Sequence, residues 1–292
     1  MVSFFLQHIK YEKRLSQHTL LAYQTDLEQF VNYLKAQYDF EHLALADSPM
    51  IRSWVASLVE AKMDNTSINR KIATLRSFYG YALRQKVILA DPMLKIQALK
   101  TPKNIPSFVK EKEMDTLLDD IPFTEDFFGL RDKLVLELLY GTGIRLAELI
   151  GLKESDINLY EKTILVLGKR NKHRIIPLNN TLFALIKKYQ ESKKLTFEVA
   201  DNHLIITNMG LEAYPMLIQR ITKKYLSLVT TLEKKSPHVL RHTFATNLLN
   251  KGADLNAIKD LLGHTSLAAT QVYTHNSMEK LKQEYELAHP KA

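Results

Sequence analysis

The sequence predicts a mainly α-helical protein with one small β-sheet, arranged as two domains. Three observations lead there. The chain has 292 residues, more than a typical single domain. Apolar residues recur at three- and four-residue spacing through most of the first hundred positions. One strand–turn–strand pattern, from Thr163 to Leu178, stands among helical segments in the remainder.

The first helical face is Leu20, Tyr23, Leu27, Phe30, Val31 and Leu34, with Ser16 placed ahead of it as a cap. A second follows Asp47-Ser48-Pro49 and holds Ile51, Trp54, Val55, Leu58 and Val59. A third opens near Asn65-Thr66-Ser67 and carries Ile68, Ile72, Leu75, Phe78, Tyr79 and Ala82. Its other face reads as basic, with Arg70, Lys71, Arg76, Arg84 and Lys86. Asp91-Pro92 is expected to end this bundle. The two prolines and two lysines of Lys100-Thr-Pro-Lys-Asn-Ile-Pro-Ser107 mark a linker. The expected boundaries are therefore 1–99 for the first domain, 100–107 for the linker and 108–292 for the second.

In the second domain a helix around Leu130 to Leu139 is expected to lead into Gly141-Thr-Gly143, a tight entry that places Arg145 in the first turns of the next helix. Strands at Thr163 to Leu167 and His173 to Leu178 enclose a basic tip, and His203 to Thr207 is a third candidate strand. From Pro237 the pattern is helical, with Gly252 and Gly263 where helices should stop.

The formal net charge is +8, which favours a polyanionic partner. No cysteine is present, so disulfides, thiolate nucleophiles and cysteine-bound zinc are excluded, and a reducing cytoplasm is the expected location. No apolar run approaches the ~20 residues of a membrane span. The N-terminus lacks the basic segment of an export signal. No Gly-rich Lys-Ser/Thr nucleotide loop occurs.

Four segments hold chemistry-bearing groups. In Gly141-Thr-Gly-Ile-Arg145-Leu-Ala-Glu148, an arginine near a helix start suits phosphate oxygens, while Arg145 with Glu148 is also what a surface ion pair looks like. The turn Gly168-Lys169-Arg170-Asn171-Lys172-His173-Arg174 is either a solvated tip or a lysine able to reach a phosphate and donate a proton. His238 and Arg241 sit three apart on one helix face. His238 and His242 have zinc-hydrolase spacing, but Val239 stands where that motif needs glutamate, so no metal is expected. Finally, Leu261-Leu-Gly-His264 precedes Tyr273 in Val272-Tyr-Thr-His275. A tyrosine near a helix end is ordinarily core or rim, and its phenol, with a pKa of about 10, needs activation to attack. Two arginines, two histidines, a lysine and a tyrosine, without a carboxylate cluster, suit metal-free phosphoryl transfer to tyrosine.

These boxes, in this order, resemble the tyrosine recombinases, and within them the bacterial Xer type. The matching residues are Thr142 to Leu149, His238-Val-Leu-Arg241-His242, the Leu-Leu-Gly-His box ending at His264, and Val272-Tyr273-Thr-His275. Ser16 to Leu34 and Asn69 to Tyr79 resemble the core-binding domain of that type, and His289-Pro-Lys-Ala292 its C-terminus. The resemblance implies a SAM-like helical DNA clamp followed by an α+β catalytic domain. It also implies attack by Tyr273 to leave a 3′-phosphotyrosyl bond, with Arg145, Arg241 and His264 on the phosphate. His238 would assist proton transfer and Lys169 would be the general acid, although Arg170 replaces the second glycine of the usual Gly-Lys-Gly tip and Lys172 lies close by. Arg70, Lys71, Arg76, Lys172 and Arg174 are the candidate DNA contacts. No cofactor or metal is implied. The implied partners are a double-stranded recombination site, a homo- or hetero-tetramer that exchanges C-terminal segments, a paralogous recombinase and a septal DNA translocase. Chromosome-dimer resolution is the leading expectation, favoured by the compact length without an added arm-binding domain. A mobile-element integrase, a topoisomerase and an inactive architectural protein remain as alternatives.

Overall fold

In the computed structural model, residues 1–13, 15–102, 107–168 and 173–263 are described. The chain divides into two compact units, Met1–Asn104 and Ile105–Ala292.

The first unit contains helices α1 (Val2–Gln7), α2 (Gln17–Tyr38), α3 (Ser48–Glu60) and α4 (Asn65–Arg84). Each of the last three starts at a side chain that accepts a backbone N–H: Ser16 from Thr19, Asp47 from Met50 and Asp64 from Ser67. Their apolar stripes meet in one core, with Phe30 against Trp54 at 4.7 Å between ring centroids and Tyr79 donating to the Leu43 carbonyl. Packing continues past Asp91-Pro92. Met93 and Ile96 belong to the same core, and the Asn69 side chain holds both backbone groups of Leu99.

The expected basic face of α4 is corrected by this core. Lys71 points inward, with its side chain 4% exposed, and its ammonium bonds the fully buried Asp26 of α2 at 2.9 Å. Arg70 bonds the other oxygen of Asp26, which also accepts from the Thr74 hydroxyl. A buried carboxylate needs such partners, and Asp26 draws two cations across the α2–α4 contact to obtain them. Arg76 stays exposed while donating to the Ile96 carbonyl.

The second unit is built on α6 (Phe127–Thr142), buried along nearly its whole length. It is preceded by α5 (Glu111–Asp115) and followed by α7 (Leu146–Ile150). Strands β1 (Ile157–Asn158), β2 (Thr163–Leu167) and β3 (His173–Pro177) form an antiparallel sheet in that order. Helices α8 (Asn180–Thr196), α9 (Pro215–Val229), α10 (Pro237–Asn250) and α11 (Leu255–Leu262) complete it.

The third strand is β1, not His203 to Thr207. That stretch makes two isolated bridges, His203 to Lys153 and Ile206 to Glu212, and Leu204, Ile205 and Ile206 are all buried in succession. A short apolar run of this kind looks the same in sequence whether it is a strand or a buried connection. Gly252 and Gly263 adopt positive φ after α10 and α11, as their helix-stop positions require. No helix among the described residues is long and apolar enough to cross a membrane.

Candidate active site

Helix α6 ends where Gly143 turns into the left-handed region, with φ of 60°. Only glycine suits this position. A Cβ there would stand 2.5 Å from Phe244 and 2.9 Å from Leu262. The chain leaves the turn at Ile144, and Arg145 becomes the N-cap of α7 rather than a residue of its first turn. The tight entry read from Gly141 and Gly143 is thus the exit of the preceding helix. Glu148 reaches back to accept the Arg145 backbone N–H at 2.8 Å and its guanidinium Nη1 at 2.8 Å.

Arg241 comes from α10, which is fixed by the buried Leu240, Phe244 and Leu248. Two polar ties add to this packing. Thr243 accepts the Val109 N–H, and Asn247 donates to the Tyr140 hydroxyl of α6. Arg241 is 8% exposed and donates to the carbonyls of Gly143 and Leu262. Burial and the neighbouring charge of Arg145 lower its pKa to about 10, so it stays cationic at neutral pH.

The sequence places Arg174 in the basic hairpin tip, as a candidate DNA contact. It lies instead on the inward face of β3, opposite Val166 and two residues before the buried Ile176. Its Nη1 and Nη2 bond both oxygens of Glu148, at 2.9 and 2.8 Å, and its Nε bonds the Leu261 carbonyl at 2.8 Å. Burial alone would raise the Glu148 pKa. The hydrogen bond from Arg174, the Arg145 backbone N–H and the Arg174 charge outweigh it and hold the carboxylate down at about 2.

Three guanidinium groups therefore converge on consecutive carbonyls at the end of α11: Arg174 on Leu261, Arg241 on Leu262 and Arg145 on Gly263. The negative end of a helix dipole complements them. Among the described residues one carboxylate, Glu148, answers three cations, so the cluster keeps surplus positive charge. Arg145 remains 31% exposed, and a guanidinium has five donors, so the cluster can hold an anion at its open side.

His238 is exposed in the first turn of α10, and His242 is partly buried one turn on. No group of metal-ligating side chains occurs among the described residues. Lys169, Lys172, His264 and Tyr273 lie outside the described residues. Sequence reasoning missed the interior position of Arg174 and the role of the α11 carbonyls.

Fold and site together define a mainly helical domain with a small antiparallel sheet and a half-buried cluster of three arginines. The match to known proteins makes it specific. A profile of the phage integrase family fits residues 107–280, and one of the phage integrase N-terminal SAM-like domain fits residues 2–86. The chain belongs to this family, the tyrosine recombinases, enzymes that cut and rejoin DNA. Tyrosine recombinase XerC of Chlorobaculum parvum is 36% identical over 99% of this chain and 94% of its own. XerC of Thermodesulfovibrio yellowstonii is 37% identical over 98% and 95%, and XerD of Staphylococcus haemolyticus 36% over 99% and 98%. In fold the chain is similar to the XerH site-specific recombinase solved with its palindromic difH substrate after cleavage. That likeness has a TM-score of 0.73 at 22% identity and covers 97% of this chain and 83% of that one.

Proposed function

We propose that this chain is a site-specific DNA recombinase of the Xer type that acts in the cytoplasm and resolves chromosome dimers, with Tyr273 as its nucleophile. The observation that carries the reading is the meeting of Arg145 and Arg241 at the end of α11, one residue before His264 in the chain. Their guanidinium groups suit the two non-bridging oxygens of a phosphodiester and the charge that builds on a five-coordinate phosphorus.

The roles of Tyr273, His264 and Lys169 are inferred from their sequence boxes. The Tyr273 oxygen bonds phosphorus as the bond to the 5′-oxygen breaks. His238 assists removal of the phenol proton, Lys169 protonates the leaving 5′-oxygen, and His264 donates to the phosphate. One phosphoester bond forms for each one broken, so a 5′-hydroxyl can later displace the tyrosine without ATP. Four protomers would hold two duplexes and exchange strands in pairs, with a paralogous recombinase and a septal DNA translocase as the expected further partners. Arg70 and Arg76, exposed on α4, and Lys172 are the retained candidates for DNA contact. The XerC and XerD names of relatives that match nearly the full chain favour chromosome-dimer resolution over a mobile-element role.

The test is covalent capture. A nicked duplex recovered by wild-type protein from a random-sequence pool should give a complex that resists SDS and persists in EDTA. Tyr273→Phe should abolish it. A complex that survives this change overturns the choice of nucleophile.

A further inference from the structure

We propose that Arg174 is a positioning residue of the cleavage site, which sets the place of Arg145 through the carboxylate they share and the place of the α11 terminus through the Leu261 carbonyl. The proposal rests on the reading that Arg145 and Arg241 hold the scissile phosphate.

Three features of Arg174 point to it. The residue is 5% exposed and stands on the buried face of the sheet, opposite Val166. Each of its guanidinium nitrogens is engaged: Nη1 and Nη2 with Glu148, and Nε with Leu261. Its stem also fills the space beside Gly263, where an added Cβ would stand 3.2 Å from the Arg174 Cδ. A side chain so enclosed is not placed to meet a DNA phosphate. It instead ties β3, the start of α7 and the end of α11 together at one point.

The consequence falls on Arg145. Glu148 sends one oxygen to the Arg145 guanidinium and the other to its backbone N–H, and Arg174 bonds both of those oxygens from the opposite side. The carboxylate plane is thereby fixed. Without Arg174, Glu148 has one cation left and is free to rotate toward it, drawing the Arg145 guanidinium away from an anion. The planar fork matters here. A lysine ammonium is a point charge and does not serve two carboxylate oxygens and a carbonyl in one plane.

A positioning role separates cleavage from binding. The measurement uses the full-length protein and the nicked duplex captured by wild type, and follows single-turnover covalent complex formation, equilibrium DNA binding across a salt series, and thermal unfolding. For Arg174→Met we expect DNA affinity within about twofold of wild type, an unchanged salt slope, and cleavage slower by roughly 100-fold, the scale of a 1 Å misplacement. Arg174→Lys should not restore the rate. If Arg174→Met does not fold, Arg174→Lys, which keeps stem and charge, carries the same comparison. A folded variant that cleaves at the wild-type rate overturns the proposal. So does a salt slope smaller by about 0.9, which would make Arg174 a phosphate contact. If wild type captures no duplex at all, the recombinase reading fails and this proposal with it. Wild-type capture with a fully active Arg174→Met sinks this proposal alone.

Discussion

Glu148 and Arg174 face each other across the cluster with two parallel hydrogen bonds of 2.9 and 2.8 Å. Their side chains are 6% and 5% exposed. Paired this way, Glu148 titrates near 2, well below an ordinary carboxylate. A depressed folded-state value contributes stability that is complete above the unfolded value of about 4.3 and disappears as pH falls through the folded one. Glu148→Gln keeps the shape and removes the charge. The stability gap between wild type and this variant should be on the order of 2 kcal/mol or more at neutral pH, and should close between about pH 4.5 and pH 2. Urea unfolding across that range checks it. A gap independent of pH would show that the charge of Glu148 is not what stabilises the cluster.

Gly143→Ala tests the turn that delivers Arg145. The substitution meets two penalties at once: a left-handed backbone, costing about 1–2 kcal/mol, and a Cβ pressed on Phe244 and Leu262, costing about 1–3 kcal/mol. We expect a loss of roughly 2–5 kcal/mol, read as a lower urea midpoint with unchanged m-value. A variant within 0.5 kcal/mol of wild type, as ordinary surface changes are, would mean that the turn relaxes freely.

Much of this architecture was legible in the sequence because its signals are local. Ser16, Asp47 and Asp64 stand one residue ahead of the helices they cap, and the α2 and α4 stripes keep a helical period. Arg145 and Arg241 were visible as motif residues, and each is buried or half-buried in the site. The errors arose where facing, not element type, decides the outcome. In His173-Arg-Ile-Ile176 two adjacent isoleucines hide the phase of a two-residue alternation, so Arg174 read as part of the exposed tip. Lys71 read as part of a basic face because Arg70 and Arg76 flank it. The contrary signal was Asp26, an acid beside Leu27 and four residues before Phe30 on the apolar side of α2. A carboxylate there needs a cation from another helix, and sequence spacing alone does not say which one.

That buried carboxylate gives a stability prediction. Asp26→Ala leaves the Lys71 ammonium enclosed without its counter-ion, a change that costs about 3–5 kcal/mol for buried pairs. Replacing both partners, Asp26→Leu with Lys71→Met, should recover most of the loss, because two apolar side chains of similar volume need no partner. Chemical denaturation of the two variants makes the comparison. A double variant no more stable than Asp26→Ala would mean that the ion pair contributes through something other than mutual neutralisation.

The same double variant decides which cations of α4 face DNA. Binding to duplex DNA should weaken steeply with salt, with log affinity falling by about 0.9 per phosphate contact for each unit of log salt. Lys71 has a side chain only 4% exposed and is committed to Asp26, so the double variant should show the same slope as Asp26→Leu alone, in which Arg70 is released from Asp26 equally. Arg76 remains exposed on the helix, and Arg76→Ala should reduce the slope by about one contact if its guanidinium leaves the Ile96 carbonyl for a phosphate. Fluorescence anisotropy between about 50 and 200 mM salt resolves the difference. A slope that falls with Lys71 and not with Arg76 would place DNA on the opposite side of α4 from the one its exposed residues define.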